Sequence, residues 1–434
     1  MVKLRSFFPR RKHIWLLWVI ALIFLSIFIR FGPTKLTLSR AKLKPHGHQA
    51  YPALISPQTN LIDWENYIRP KLQRKLQESI YGYLPSSSQT TIIDHRILAT
   101  NAYHNLGRIE EYTLTASASF NGITSISTPF KMVVVIPKEA ANFAPVILME
   151  SFCPNHNTVD HPSVGKAILS DFSCDGDGVM NDIMLYVFGR YIATPPIEMM
   201  LERGYAFATI FPSDFVPDRA INGQAALKAL SQGHLDNNTR WGAIAAWSWG
   251  YSRMIDVLQE RPGFGNKKWI AYGHSRYAKA ALVTGAFDER IDGVIAHQSG
   301  TGGASLNWRK KGESVHEITQ SFPHWFSNAY KDLSDNDFPD IDQHALLALN
   351  APHPVLLGNA RRDVWSDPNG AFRAAQGASL IYKLYNKQGL NQDKLIPFKP
   401  HSDISFYLRP GTHGVVKEDW PAFLNFLDIH FQNK

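Results

Sequence analysis

Beyond residue 60 the chain alternates apolar runs of strand length with longer stretches whose apolar residues recur every three or four positions. Runs of the first kind cover 110–119, 130–136, 145–150, 205–211, 268–272, 293–297 and 354–359. Several are rich in Val and Ile, as strands buried on both faces are. The longer stretches fall between them. Residues 239–260 carry apolar side chains at helical steps and stop before Arg261-Pro262-Gly263, and the small residues of 277–287 suit a helix packed closely on a sheet. This alternation predicts an α/β fold, a three-layer αβα sandwich around a mostly parallel central sheet. Two segments lack periodicity. Residues 155–191 cluster Gly, Asp, His and Asn and read as a long loop near a site rim, whereas 308–342, aromatic and polar together, reads as a lid, a binding wall or a packed surface excursion.

The strongest hydrophobic signal lies outside that rhythm. From Ile14 to Ile29 the chain reads IWLLWVIALIFLSIFI, preceded by Lys3, Arg5, Arg10, Arg11 and Lys12. A basic block before an apolar run follows the positive-inside pattern and predicts a transmembrane helix. At ~1.5 Å per residue the run covers about 24 Å, short of a ~30 Å hydrocarbon core, but flanking Arg and Lys side chains can snorkel. A cleaved signal peptide is the rival, although Phe28, Ile29, Arg30 and Phe31 stand where its small-residue cleavage site belongs. The expected organisation is a cytoplasmic basic segment and anchor over 1–32, a tether over 33–62 and one catalytic domain over 63–434. The domain is then exported, either held at the periplasmic face of a bacterial inner membrane or secreted after cleavage.

Charge sharpens this division. The chain of 434 residues has a net charge of +8, yet ten of its cations precede the first acidic residue, Asp63, so 63–434 carries −2. A nearly neutral body lacks the electrostatic footprint of a nucleic-acid binder. Hydrophobic residues make up 44% of the chain, enough for a large core, and no linker or repeat divides it after residue 60. Cys153 and Cys174 are the only cysteines. An exported pair can be bridged, but spacing does not settle it, and two thiols without clustered histidines make no metal site.

The chemistry centres on residues 267–291, KKWIAYGHSRYAKAALVTGAFDERI. A β-rich stretch leads into Gly273-His274-Ser275-Arg276 and an Ala-rich helix follows at once, the order of a nucleophile elbow. Tyr277 stands where the second glycine of G-x-S-x-G would be. Any serine at such a turn can be merely a helix cap, so the residues that follow it matter. Asp363 lies after the strand-like PVLLGNA, and His413 lies in Gly411-Thr412-His413-Gly414 before the last helix, giving the Ser, acid, His order of α/β hydrolases. Asp367 is the rival acid and His401 the rival base. In this arrangement His413 takes the proton of Ser275, Asp363 holds the imidazole, and the Arg276 N–H helps bind the oxyanion. The Arg276 guanidinium serves the same anion, or else pairs with a nearby carboxylate.

At these residues the chain resembles the glucuronoyl esterases, carbohydrate esterase family 15, and most closely their bacterial branch. The resemblance runs from about Pro145 to Pro421. It rests on G-H-S-R with Lys279 four residues on, GAFDERI, QSGTGG at 298–303, Trp308-Arg309, SFPHWF at 321–326, DQH at 342–344, DVWSDP from Asp363 to Pro368, and RPGTHG at 409–414. It implies a metal-free and cofactor-free serine esterase acting on esters between 4-O-methyl-glucuronate side chains and lignin alcohols, and on uronate methyl esters. By the same resemblance Ser275 is the nucleophile, His413 the base and Arg276 an oxyanion partner, while Lys279, Glu313 and Trp325 meet the sugar. The chain departs from the fungal pattern at Gln298, also placed at the substrate, where fungal members carry a catalytic glutamate. An amide cannot stabilise an imidazolium as a carboxylate does, so Asp363 must serve. Ala278 replaces the family's glycine, and Tyr277 is expected to reshape the pocket.

Two other functions remain open on the sequence: another carbohydrate or small-molecule esterase, such as an acetyl esterase, and a non-catalytic, membrane-tethered glycan-binding protein.

Overall fold

The computed structural model describes residues 10–31, 51–139, 144–165, 174, 188–262, 264, 267–309, 311–333 and 338–432. Ten strands form one sheet: β1 (Ser87–Ala102), β2 (Gly107–Phe120), β3 (Ile123–Ile126), β4 (Phe130–Pro137), β5 (Val146–Glu150), β6 (Ala206–Ile210), β7 (Trp269–His274), β8 (Ile291–His297), β9 (Val355–Ala360) and β10 (Ile404–Arg409). Their order is β1-β2-β4-β6-β5-β7-β8-β9-β10, with β3 paired to β2. From β6 to β10 neighbours run parallel, while β1, β2, β4 and β6 pair antiparallel.

Alternation along the parallel strands builds the layers. Val146, Leu148, Trp269 and Ala271 point to one face, and Ile147, Met149, Ile270 and Tyr272 to the other. The first face is covered by helices that include Ala220–Leu230, Ala243–Gln259, Arg276–Phe287, Gln343–Ala348 and Pro368–Leu384. The second carries fewer, Ile197–Glu202 and Asp419–Phe431. The expected three-layer α/β architecture is therefore present, with unequal outer layers.

Three strands lie outside the sequence expectation. β1 is an edge strand with most side chains exposed, so nothing imposes an apolar pattern on it. β3 is four residues long. β10 alternates too weakly to stand out, although its parallel register with β9 places the loop after Arg409 at the active end of the sheet.

The front of the chain departs in two ways. A helix spans Arg10–Phe31 over the apolar run, and Trp15, Leu17, Trp18 and Phe24 are exposed on it. Among the described residues no helix is long and apolar enough to cross a membrane. Within the stretch expected as a tether, 33–62, Tyr51, Leu54 and Ile55 pack against the core and the Pro52 carbonyl accepts from His344. Residues 32–50 lie outside the described residues.

Cys153 and Cys174 are joined in a disulfide. Most of the loop expected over 155–191 lies outside the described residues. Its far end does reach the expected rim, since the Phe188 carbonyl accepts from Val415, two residues beyond His413. The 308–342 segment is a packed wall rather than a lid: the helix Val315–Ser321 and a 3-10 turn at Asn328–Asp332 seat Trp325, Phe326 and Tyr330 in the core.

Candidate active site

The turn between β7 and the helix Arg276–Phe287 places Ser275 at φ 56°, ψ −121°. A non-glycine residue held there costs about 1–3 kcal/mol, a strain characteristic of functional turns. The surroundings enforce it: the Ser275 N–H donates to the His297 carbonyl at 2.8 Å, and the Ser275 carbonyl accepts from Ala278 and Lys279. Gly273 is needed because a Cβ there would lie 2.1 Å from the Tyr277 carbonyl oxygen. Tyr277 replaces the second glycine without harm. It is buried against Phe152 and Trp247, with ring centroids at 4.8 and 5.2 Å, so it fills the core beneath the elbow rather than reshaping the pocket as expected.

Asp363 and His413 meet as the strand order requires. His413 Nδ1 and Asp363 Oδ2 lie 2.8 Å apart, with Asp363 buried and the His413 side chain 29% exposed, so Nε2 is the nitrogen left for proton transfer. Burial pushes the Asp363 carboxyl upward, but the hydrogen bond and charge of His413, with a hydrogen bond from Ser366, outweigh it and hold the group below its ordinary value. The rival acid Asp367 is engaged elsewhere, accepting from the Lys311 N–H at 3.0 Å and opening the helix Pro368–Leu384. His401 is exposed on the turn before β10.

The His413 ring also packs 4.6 Å from that of His274, the residue before Ser275. His274 and His297 share a 3.2 Å Nδ1 to Nδ1 contact, so one donates and the other accepts. Burial first, then neighbouring positive groups, push both well below the ordinary histidine range, giving His413 a neutral backing.

The Arg276 guanidinium pairs with Asp218 and faces Trp325, Phe152 and Phe322 at 4.9, 5.3 and 6.0 Å from their centroids. Its Nε is buried with no hydrogen-bond partner among the described residues, leaving a donor in the residue next to Ser275. Asp218 was not legible in the sequence, yet it also binds His324 Nε2 at 2.9 Å and Trp325 Nε1 at 2.8 Å. It sits in a loop, FVPDR, that matches no catalytic motif.

The other expected substrate contacts divide. Lys279 lies one turn along the helix, donates to the Ser299 carbonyl and has its Nζ 5.8 Å from the Trp325 centroid. Trp325 stands beside both cations, but it is only 4% exposed and stacks on Phe322 at 3.8 Å, so it is a packed wall rather than an open platform. The exposed aromatic is Trp365, 54% accessible two residues after Asp363. The DVWSDP run contained it, and only its exposure singles it out. Glu313 is buried, and its N–H donates to the Trp365 carbonyl at 3.1 Å, which ties it to that loop. Gln298 corrects the sequence expectation. Instead of facing a substrate, its buried amide accepts from Gly414 N at 2.8 Å and donates toward Thr412 O at 3.4 Å, on either side of His413.

A strained serine, an imidazole that is held by a buried carboxylate and packs on the residue before that serine, and an adjacent cation are side chains suited to acyl transfer. Among the described residues no cluster of His, Cys, Asp or Glu could hold a metal ion.

Comparison with known proteins finds esterases in sequence and in fold. The sequence profile of fungal glucuronyl esterases matches residues 224–386, which contain the elbow and Asp363. A carbohydrate esterase of unknown prokaryotic origin is 41% identical over 239 residues, 54% of this chain and 55% of its own. A solved promiscuous family 15 esterase from a marine bacterial metagenome superposes with a TM-score of 0.73 at 28% identity, covering 88% of this chain and 97% of its own. This chain is similar in fold to a family 15 carbohydrate esterase. A second solved structure, the glucuronoyl esterase from Solibacter usitatus, gives a TM-score of 0.73 at 27% identity, over 88% of this chain and 98% of that one. The 4-O-methyl-glucuronoyl methylesterase 1 of Wolfiporia cocos is 32% identical over 152 residues, 32% of this chain and 37% of its own. The chain thus spans about half, or less, of the length of the curated relatives it matches in sequence.

Proposed function

We propose that this chain is a serine carboxylic-ester hydrolase that cleaves 4-O-methyl-glucuronoyl esters of the glucuronoxylan and lignin-carbohydrate type through an acyl-enzyme. The observation that carries this reading is the His413–Asp363 bond at 2.8 Å, with His413 packed on the residue before an elbow whose next residue is the half-buried Arg276. Ser275 Oγ attacks the ester carbonyl as His413 Nε2 takes its proton. The oxyanion is met by the N–H at the helix N-terminus and by the unpartnered Nε of Arg276. His413 returns the proton to the leaving alcohol, and water then releases the uronate by the reverse sequence.

The acyl side is a uronate because Arg276 and Lys279 line one wall and aromatic rings line the same region, a setting for a hydroxyl-rich ring. The names of the curated relatives support this choice. An acetyl esterase has no use for that wall. Comparing kcat/KM for methyl glucuronate with acetate release from acetylated xylan tests the reading: a preference of about 10-fold or more for the uronate is expected, and preferential deacetylation contradicts it.

The helix Arg10–Phe31, with its exposed Trp15, Leu17, Trp18 and Phe24, supports a further proposal, that it holds an exported catalytic domain at a membrane.

A further inference from the structure

Gln298 makes two hydrogen bonds that a substrate contact would leave open. Its side chain is 1% exposed, its Oε1 accepts from the Gly414 N–H at 2.8 Å, and its Nε2 donates toward the Thr412 carbonyl at 3.4 Å. These two peptide groups flank His413. Gly414 is bound from the other side as well, its carbonyl accepting from Arg409 Nη2 at 2.7 Å while Asp419 holds Arg409 Nε at 2.8 Å. Gln298 itself is locked at φ 54°, with its N–H on the Gly358 carbonyl at 2.8 Å. The backbone is thus strained at the residue whose amide reaches the histidine loop.

This placement solves a geometric problem of the fold. Ser275 follows β7, Asp363 follows β9 and His413 follows β10, so three separate strand ends must agree to within a fraction of an ångström. Gln298 follows β8, between the first two. An amide is the side chain that suits it. One end must accept from an N–H and the other must donate to a carbonyl, whereas an ionised carboxylate can only accept and would face the Thr412 oxygen.

We propose that Gln298 is a positioning residue, whose amide clamps the backbone on both sides of His413 and so keeps the imidazole in line with Ser275. The proposal rests on the serine-esterase reading but not on the identity of the ester.

The test uses the full-length chain and two variants, Gln298→Leu, which keeps bulk and removes both bonds, and Gln298→Glu, which keeps the acceptor for Gly414. The rate of Ser275 labelling by a fluorophosphonate is read together with kcat and KM on methyl glucuronate. Labelling and kcat should fall about 30- to 100-fold in Gln298→Leu, with KM within about twofold, because a misplacement near 1 Å has an effect of that order. Gln298→Glu should lie between it and the parent, about 5- to 10-fold down by the same argument. If Gln298→Leu does not fold, Gln298→Glu decides alone. Labelling at the parent rate in the variants overturns the proposal, as does a rise in KM with kcat and labelling unchanged, which marks a substrate contact. A parent protein that labels but leaves methyl glucuronate intact sinks the substrate assignment, and the labelling rates still decide the role of Gln298.

Discussion

Asp218 accepts from three side chains, Arg276, His324 Nε2 and Trp325 Nε1, and so fixes the cation beside the nucleophile together with the aromatic wall behind it. Asp218→Asn keeps the shape but removes the charge and one acceptor, which frees the guanidinium to swing. The expected result is a fall in kcat of about 10- to 100-fold on methyl glucuronate; an unchanged kcat would show that Arg276 needs no such anchor. Glu150 makes a different prediction. Its carboxyl is fully buried against Gly250, neither oxygen has a hydrogen-bond partner among the described residues, and burial raises it well above the ordinary 4.5. The folded state therefore keeps a proton that the unfolded chain releases above about 4.5, so this group's contribution to stability falls as pH rises from there through the folded value. Glu150→Gln should melt higher than the parent at neutral pH, with the difference shrinking toward pH 4.5. A difference independent of pH would mean that the carboxyl does not titrate in this way. Of these groups only those proposed as the triad were legible in the sequence. Ser275, Asp363 and His413 stand in motifs whose order along the chain is diagnostic. Asp218 and Glu150 act through three-dimensional neighbours that no local pattern records.

Elements were legible where burial imposed a pattern. The strands β4 to β9 are buried nearly throughout and read as apolar runs, while exposed β1 and short β3 carried no such signature. The same logic separates the two tryptophans. Trp325 was chosen for its motif, but its stacking on Phe322 seals it into a wall, whereas Trp365 is exposed because its loop projects beyond Asp363. The elbow is the element on which the site depends, and Gly273 is its tightest point. Gly273→Ala drives a methyl into the Tyr277 carbonyl, 2.1 Å away, a backbone contact that cannot rotate aside. Urea unfolding should show a loss of about 1–3 kcal/mol or more, accompanied by reduced kcat. Parent-like stability would mean that strand and helix approach less closely than described.

For the molecule as a whole, one sheet gathers the candidate residues at the carboxyl ends of its parallel strands, and the helix Arg10–Phe31 supplies none of them. The packing of Tyr51, Leu54 and Ile55 sets where the catalytic body begins, a boundary that their scattered apolar positions did not reveal. Removing residues 1–32 should therefore leave an active enzyme and release it from membranes. Continued membrane association of the trimmed chain would place the anchor elsewhere, and loss of folding would make the first helix part of the body.

The account rests on Ser275 being the atom that attacks. Hydrolysis of methyl glucuronate by the parent, Ser275→Ala and Asp363→Asn measures this directly, with circular dichroism to show that each variant is folded. Turnover should fall by at least about 10³-fold in Ser275→Ala and by about 10²- to 10⁴-fold in Asp363→Asn. A folded Ser275→Ala that hydrolyses the ester at the parent rate would contradict the account.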